Sequence, residues 1–252
     1  MYYDRLETIY LRSIKVDSLY LVMPAYNEEK NIEKTVRDWY GILDGEASRM
    51  VIADSGSTDR THEILIALQK EFPKLLIISD TKKEHGAKLM ALYDMAVKNR
   101  IDYVFQTDSD GQTDPAEFNS FWRRRKRYDG IFGHRKVRGD GRIRGFIEKI
   151  VCALIRVYFK VKLPDANAPF RLMRVSVLEK YLYLMDMDYE LPNIMLTVFF
   201  ACNKEKMAFG VISFKSRCAG GSSINIKRLV KLGFKGMKDF GLFRRMMKSD
   251  KV

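Results

Sequence analysis

The chain predicts an α/β fold with a mostly parallel sheet flanked by helices, and three observations carry that prediction. Short apolar runs alternate with helical patterns through the first half. Each apolar run stops at a polar cluster. The fourth run, Tyr103 to Thr107, stops at two carboxylates, Asp108 and Asp110, spaced i, i+2.

In chain order, the first strand is expected over Ser18 to Met23, ending on Pro24-Ala25-Tyr26-Asn27-Glu28-Glu29. A helical pattern follows from Glu29 to Leu43. The second strand, Met50 to Ala53, ends on Asp54-Ser55-Gly56-Ser57-Thr58-Asp59-Arg60-Thr61 and leads into a helix over Thr58 to Glu71. The third, Leu75 to Ser79, ends on Ser79-Asp80-Thr81, and His85-Gly86-Ala87-Lys88 opens a helix reaching Lys98. A βαβαβαβ order implies right-handed crossovers between parallel strands. All four polar ends then share one sheet edge, where open α/β folds bind ligands. Singly, Asn27 or Ser57 reads as a helix cap and Asp108 to Gly111 as a polar turn. Jointly they favour a nucleotide pocket.

The second half is sparser in signals. A strand is expected over Gly130 to Gly133, followed by the basic stretch Arg135, Lys136, Arg138, Arg142 and Arg144 around Gly139-Asp140-Gly141. That stretch reads either as a loop closing over an anionic head group or as a solvated basic loop. A helix is expected to begin near Pro192. Residues Ile226 to Met247 interleave apolar and basic side chains, which suits amphipathic helices on an anionic membrane surface or a helix packed on the core with a basic outer face.

Composition narrows the function classes. The chain has 252 residues, 46% of them apolar, enough for a full core. Its net charge of +13 is concentrated: 123–144 carries ten Lys/Arg against two Asp/Glu, and 204–252 carries thirteen against three. An anionic partner for the second half is expected. The three cysteines, Cys152, Cys202 and Cys218, are odd in number and dispersed, which fits reduced thiols and a cytoplasmic setting. The N-terminal residues do not read as a secretory signal, and no apolar run reaches membrane-spanning length. There is no zinc spacing and no RNA-binding signature, so a nucleic-acid partner is not expected.

Asp108 and Asp110 offer hard oxygen ligands to a divalent cation, and Gln112 follows on the same face if the strand continues. With the blocks around them, they carry a resemblance. Pro24 to Glu29, Asp54 to Asp59 and Asp108 to Gln112 resemble, in order, three signature blocks of inverting family 2 glycosyltransferases of the Rossmann-like GT-A fold. Gly133-His134-Arg135, Asp165 to Arg171, and Arg217 with Gly220-Gly221-Ser222-Ser223 resemble later blocks of the dolichyl/polyprenyl-phosphate mannose synthase branch. Ala168-Pro169 departs from the Ser-Gly usual there and stiffens the turn.

The resemblance implies a nucleotide-sugar donor, GDP-mannose or a UDP-hexose, with Pro24, Tyr26 and Glu28 lining the base and ribose pocket and Asp54 accepting hydrogen bonds. Asp108, Asp110 and Gln112 would hold Mg²⁺ or Mn²⁺, with Lys88 and Arg217 near the donor diphosphate. Arg135, Arg138 and Arg171 would meet the acceptor, and Asp110, Arg135 and Asp165 would be the catalytic set. It further implies a domain over 1–215, with a donor half at 18–114 and an acceptor half at 115–215, followed by a mobile loop and basic amphipathic segment over 216–252.

The expected acceptor is a polyprenyl phosphate, reached by peripheral contact with the membrane or through a membrane-protein partner. A phosphate, with a second pKa of about 6, needs no dedicated base. The alternative acceptor is a saccharide hydroxyl, which needs a base: Asp165 first, then Asp188 or Glu190. A catalytically idle nucleotide-sugar-binding module is the non-enzyme alternative. A nucleotidyltransferase fits poorly, because the first strand ends on acids instead of a basic glycine-rich loop.

Overall fold

A computed structural model describes residues 16–137, 139, 142–216 and 239–245. The described elements, in order, are β1 (Leu19–Ala25), α1 (Ile32–Tyr40), β2 (Arg49–Asp54), α2 (Thr61–Glu71), β3 (Leu75–Ile78), α3 (His85–Lys98) and β4 (Tyr103–Thr107). A 3₁₀ turn (Pro115–Glu117), α4 (Phe118–Trp122), β5 (Gly130–His134), α5 (Arg142–Phe159), β6 (Phe170–Arg174), α6 (Val175–Leu182), α7 (Pro192–Cys202) and β7 (Met207–Val211) follow.

The strands form one sheet in the order β3-β2-β1-β4-β6-β5-β7. β1 lies parallel to both β2 and β4, with Val22 opposite Val51 on one side and Gln106 on the other. β6 runs antiparallel to β4 and β5, and β7 returns parallel to β5. The mostly parallel α/β architecture therefore matches expectation.

The apolar runs are buried on both faces because helices cover both sides. Alternate residues of β1 feed opposite cores. Leu19, Leu21 and Met23 pack with Trp39 of α1, Leu65 of α2 and Phe121 of α4. Tyr20 and Val22 pack with Leu89 and Tyr93 of α3, Ile155 of α5 and Phe199 of α7. Proline at the first turn of α7 leaves no wasted donor, and every residue from Pro192 to Phe200 is buried.

Two expectations differ. The basic stretch after β5 is not all loop, since α5 begins at Arg142 and runs 18 residues. β6 carries an unforeseen strand between β4 and β5. The expected amphipathic segment over Ile226 to Met247 lies mostly outside the described residues. Within it, 239–245 is helical and anchors Phe240 against Phe159 and Phe243 against Phe199.

Gly86 opens α3 against the backbone of 189–190. A Cβ there would fall on the Tyr189 carbonyl and 2.6 Å from Glu190 Cα. We expect Gly86→Ala to lower unfolding free energy by about 1–3 kcal/mol in a denaturant melt. An unchanged midpoint would show that this approach is not a constraint.

Candidate active site

The carboxyl ends of β1, β2 and β4 meet at one edge of the sheet because those strands are adjacent and parallel. Each end turns through a left-handed residue: Asn27 at φ 55°, Gly56 at 72° and Gly111 at 73°. Asparagine and glycine are the residues that tolerate this region. The loops are then cross-linked. Ser57 Oγ receives the Asn27 N–H at 3.0 Å, Thr61 Oγ1 receives the Glu28 N–H at 2.7 Å, and Ser109 Oγ donates to the Pro24 carbonyl at 2.8 Å.

Within this edge, Tyr26 is exposed, whereas Glu28 and Asp54 are buried. Glu28 Oε2 accepts from Asn31 Nδ2 at 2.8 Å. Asp54 accepts from Ser57 Oγ at 2.5 Å and faces His62 Nδ1 at 3.1 Å. Each carboxylate oxygen has a second lone pair, so these contacts orient Asp54 without exhausting it.

Lys88 comes from the first turn of α3, where helical geometry aims it back at the β1 end. Only 1% of it is exposed. Its Nζ donates to the Ala25 carbonyl at 2.5 Å and stands 5.2 Å from the Tyr26 ring centroid. Burial pulls its pKa down to about 8, opposed by the charges of Asp54 and Glu84.

Asp108 and Asp110 follow β4 directly. Asp110 is buried, and its Oδ1 accepts the Gln112 N–H at 3.2 Å. Asp108 is partly open, with 26% of its side chain exposed, and its Oδ1 lies 3.4 Å from His85 Nε2. Gln112 Nε2 donates to the Lys215 carbonyl at 2.6 Å, tying this loop to the chain beyond β7.

A hydrogen-bond chain that sequence reading missed reaches Asp108 through the core. Tyr93 Oη bonds Asn193 Oδ1 at 2.7 Å, Asn193 Nδ2 donates to Gln106 Oε1 at 3.1 Å, and Gln106 Nε2 donates to Asp108 Oδ1 at 3.2 Å. All three supporting side chains are buried. Gln106 and Asn193 are 87 positions apart, so only the polar residue inside an apolar strand hinted at them.

Among the described residues no group of three or more His, Cys, Asp and Glu side chains could hold a metal ion. Asp108 and Asp110 are two hard oxygen donors, so a cation held there would need further oxygen ligands from outside these side chains.

On the far side of β4, Arg135 and Asp165 form a buried two-pronged pair. Arg135 Nε and Nη2 donate to the two Asp165 oxygens at 2.8 and 2.9 Å. Glu148 Oε2 of α5 stands 3.5 Å from Arg135 Nη2, and its Oε1 accepts the Ala166 N–H at 2.8 Å. Burial, then the charge of Asp165, raises the Glu148 pKa. Phe214 covers the guanidinium at 5.1 Å.

Arg171 departs from its expected role. It is 1% exposed, and its guanidinium donates to the carbonyls of Ala168 and Asn193 at 3.1 and 2.8 Å. Buried charge requires such partners, so Arg171 ties β6 to α7 inside the core and does not present itself to an acceptor. Asp188 is likewise drawn outward, pairing with Lys82 at 2.6 Å. Arg138 and Arg217 lie outside the described residues.

The chain is similar to known proteins in sequence and in fold. Over 187 residues the chain is 25% identical to an undecaprenyl-phosphate 4-deoxy-4-formamido-L-arabinose transferase of Pseudomonas aeruginosa, covering 72% of this chain and 54% of that one. Over 107 residues it is 29% identical to the dolichyl-phosphate beta-glucosyltransferase ALG5A of Trichomonas vaginalis, covering 40% of this chain and 32% of that one. The chain thus spans about half of the first relative's length and a third of the second's. The fold is shared with glucosyl-3-phosphoglycerate synthase of Mycobacterium tuberculosis, solved with Mn²⁺, UDP and glucosyl-3-phosphoglycerate, at a TM-score of 0.66 and 16% identity over 90% of this chain and 80% of that one. Residues 20–182 match the glycosyl transferase family 2 profile, and the chain belongs to that family.

Proposed function

We propose that the protein transfers a hexose, with inversion, from a nucleotide-sugar to a polyprenyl phosphate. The observation that carries this reading is the convergence of Tyr26, Asp54, Lys88, Asp108 and Asp110 on one sheet edge, with Arg135 in the β5–α5 connection, two strands along from β4. The names of the two lipid-phosphate transferases above support the acceptor class.

Each residue has a role in that reaction. Tyr26 stacks beside the nucleoside, and Asp54, oriented by Ser57 and His62, accepts from base or ribose. Lys88 supplies a buried positive charge near the diphosphate, where low dielectric strengthens it. Asp108 and Asp110 hold the cation, and Gln112 fixes Asp110 through its N–H. A bound Mg²⁺ or Mn²⁺ stabilises the charge that develops on the departing diphosphate. Arg135 is the fixed cation on the acceptor side. Asp165 serves as its anchor instead of as a proton acceptor, since both its oxygens face the guanidinium. An acceptor phosphate is already ionised near neutral pH, so the attack requires no proton removal by the enzyme.

A saccharide acceptor is the second reading. Glu148 then becomes the carboxyl of interest, because its pKa is raised beside the same arginine.

Calorimetry with GDP and UDP tests the donor site. One nucleotide should bind with Mn²⁺ and lose affinity with EDTA. Asp110→Ala should lower turnover by about 100-fold or more, equivalent to several kcal/mol of transition-state stabilisation. No binding of either nucleotide would sink the reading.

Lys88 makes donor binding pH-dependent. The diphosphate favours the charged amine, whose pKa in the free protein is about 8. Affinity should therefore be full below that value and fall as pH rises through it, and Lys88→Met should flatten the profile at a weaker level. An unchanged profile in the variant would place Lys88 outside the donor site.

Asp165→Ala leaves the buried Arg135 charge without its main partner. We expect a stability loss of about 3–5 kcal/mol by denaturant titration, larger than for removing both partners together.

A further inference from the structure

We propose that the outward face of α5 is a membrane-docking surface that seats the protein on an anionic bilayer. Ile143, Phe146, Ile150 and Val157 are 66%, 65%, 45% and 63% exposed, and Ala153 between them is exposed too. Their spacing, i, i+3, i+7, i+10 and i+14, places them in one stripe along the helix. The opposite side, through Ile155 and Phe159, enters the core. A helix that is apolar inside and outside has a second partner, because scattered exposed apolar residues are ordinary but a continuous stripe is not.

Charge chooses the partner. Lys149 and Arg156, both exposed, run along one edge of the stripe, and exposed Lys160 follows just past the helix end. The single acid of α5, Glu148, points inward to Arg135 and Ala166. A basic border without acids complements an anionic surface. A second copy using the same face would set these cations against one another. No described helix is long and apolar enough to cross a membrane, so the helix would lie in the interface.

The placement also deepens the proposed function, on which this one point rests. α5 starts just beyond the Arg135 segment and touches Arg135 through Glu148, so a bilayer against α5 lies on the acceptor side of the crevice.

The test uses the full chain and phosphatidylcholine vesicles with or without phosphatidylglycerol. The wild type should co-sediment with the anionic vesicles and be released by salt. Phe146→Ser/Ile150→Ser should weaken that partitioning by about tenfold or more, and Lys149→Gln/Arg156→Gln should remove most of its salt dependence. Both variants should keep the wild-type melting temperature and nucleotide affinity, which separates docking from the donor site. Wild-type partitioning by the Phe146→Ser/Ile150→Ser variant overturns the proposal. So does a wild-type dimer in light scattering that this variant turns into a monomer, since the stripe is then a protein interface. If the wild type binds vesicles but neither GDP nor UDP, docking stands and the glycosyltransferase reading falls.

Discussion

The parallel pairing of β1 with both β2 and β4 is the constraint on which the rest of the structure depends. Because Val22 stands opposite both Val51 and Gln106, the three strands end within a residue or two of one another. Their loops must then share one small volume, and bringing five polar side chains there costs conformational entropy that the sheet has already spent. The loops are not independent decorations. Ser57, Thr61 and Ser109 bond across to the β1 turn, so the position of Asp54 and of Asp108 is coupled to the geometry of Tyr26 to Glu28. Lys88 closes the arrangement from α3 by bonding the last carbonyl of β1.

The same constraint explains which parts were legible in the sequence. β1, β2 and β4 are short apolar runs buried on both faces, β3 is a half-buried apolar edge strand, all four are bounded by turn residues, and local pattern suffices to find them. β6 was not legible, because Arg171, its second residue, reads as a surface residue. What buries it is a set of carbonyls from Ala166, Ala168 and Asn193, and the last of these comes from a helix with no local relation to the strand. The relay from Tyr93 to Asp108 was hidden for the same reason: its members are unremarkable singly, and only the fold puts them in line.

Arginine illustrates how differently one charge can be used. Arg171 is solvated by backbone carbonyls inside the core, while Arg135 is held by two carboxylates at the sheet edge. Holding an arginine with two acids costs some of its attraction for a further anion. It fixes the guanidinium plane in return, and a fixed plane is what bidentate recognition of a phosphate needs.

α5 was misread as loop at its start, and the physical cause bears on function. A helix that buries one face normally carries polar residues on the other, but here Phe146, Ile150 and Val157 occupy the outer face. The helix therefore answers to two apolar environments at once. Its inner face is set by the core through Ile155 and Phe159, and its one inward acid is set by Arg135. Rotation of the helix to hide the outer stripe would withdraw Glu148 from Arg135 and from the Ala166 N–H, so these two contacts keep that stripe facing outward.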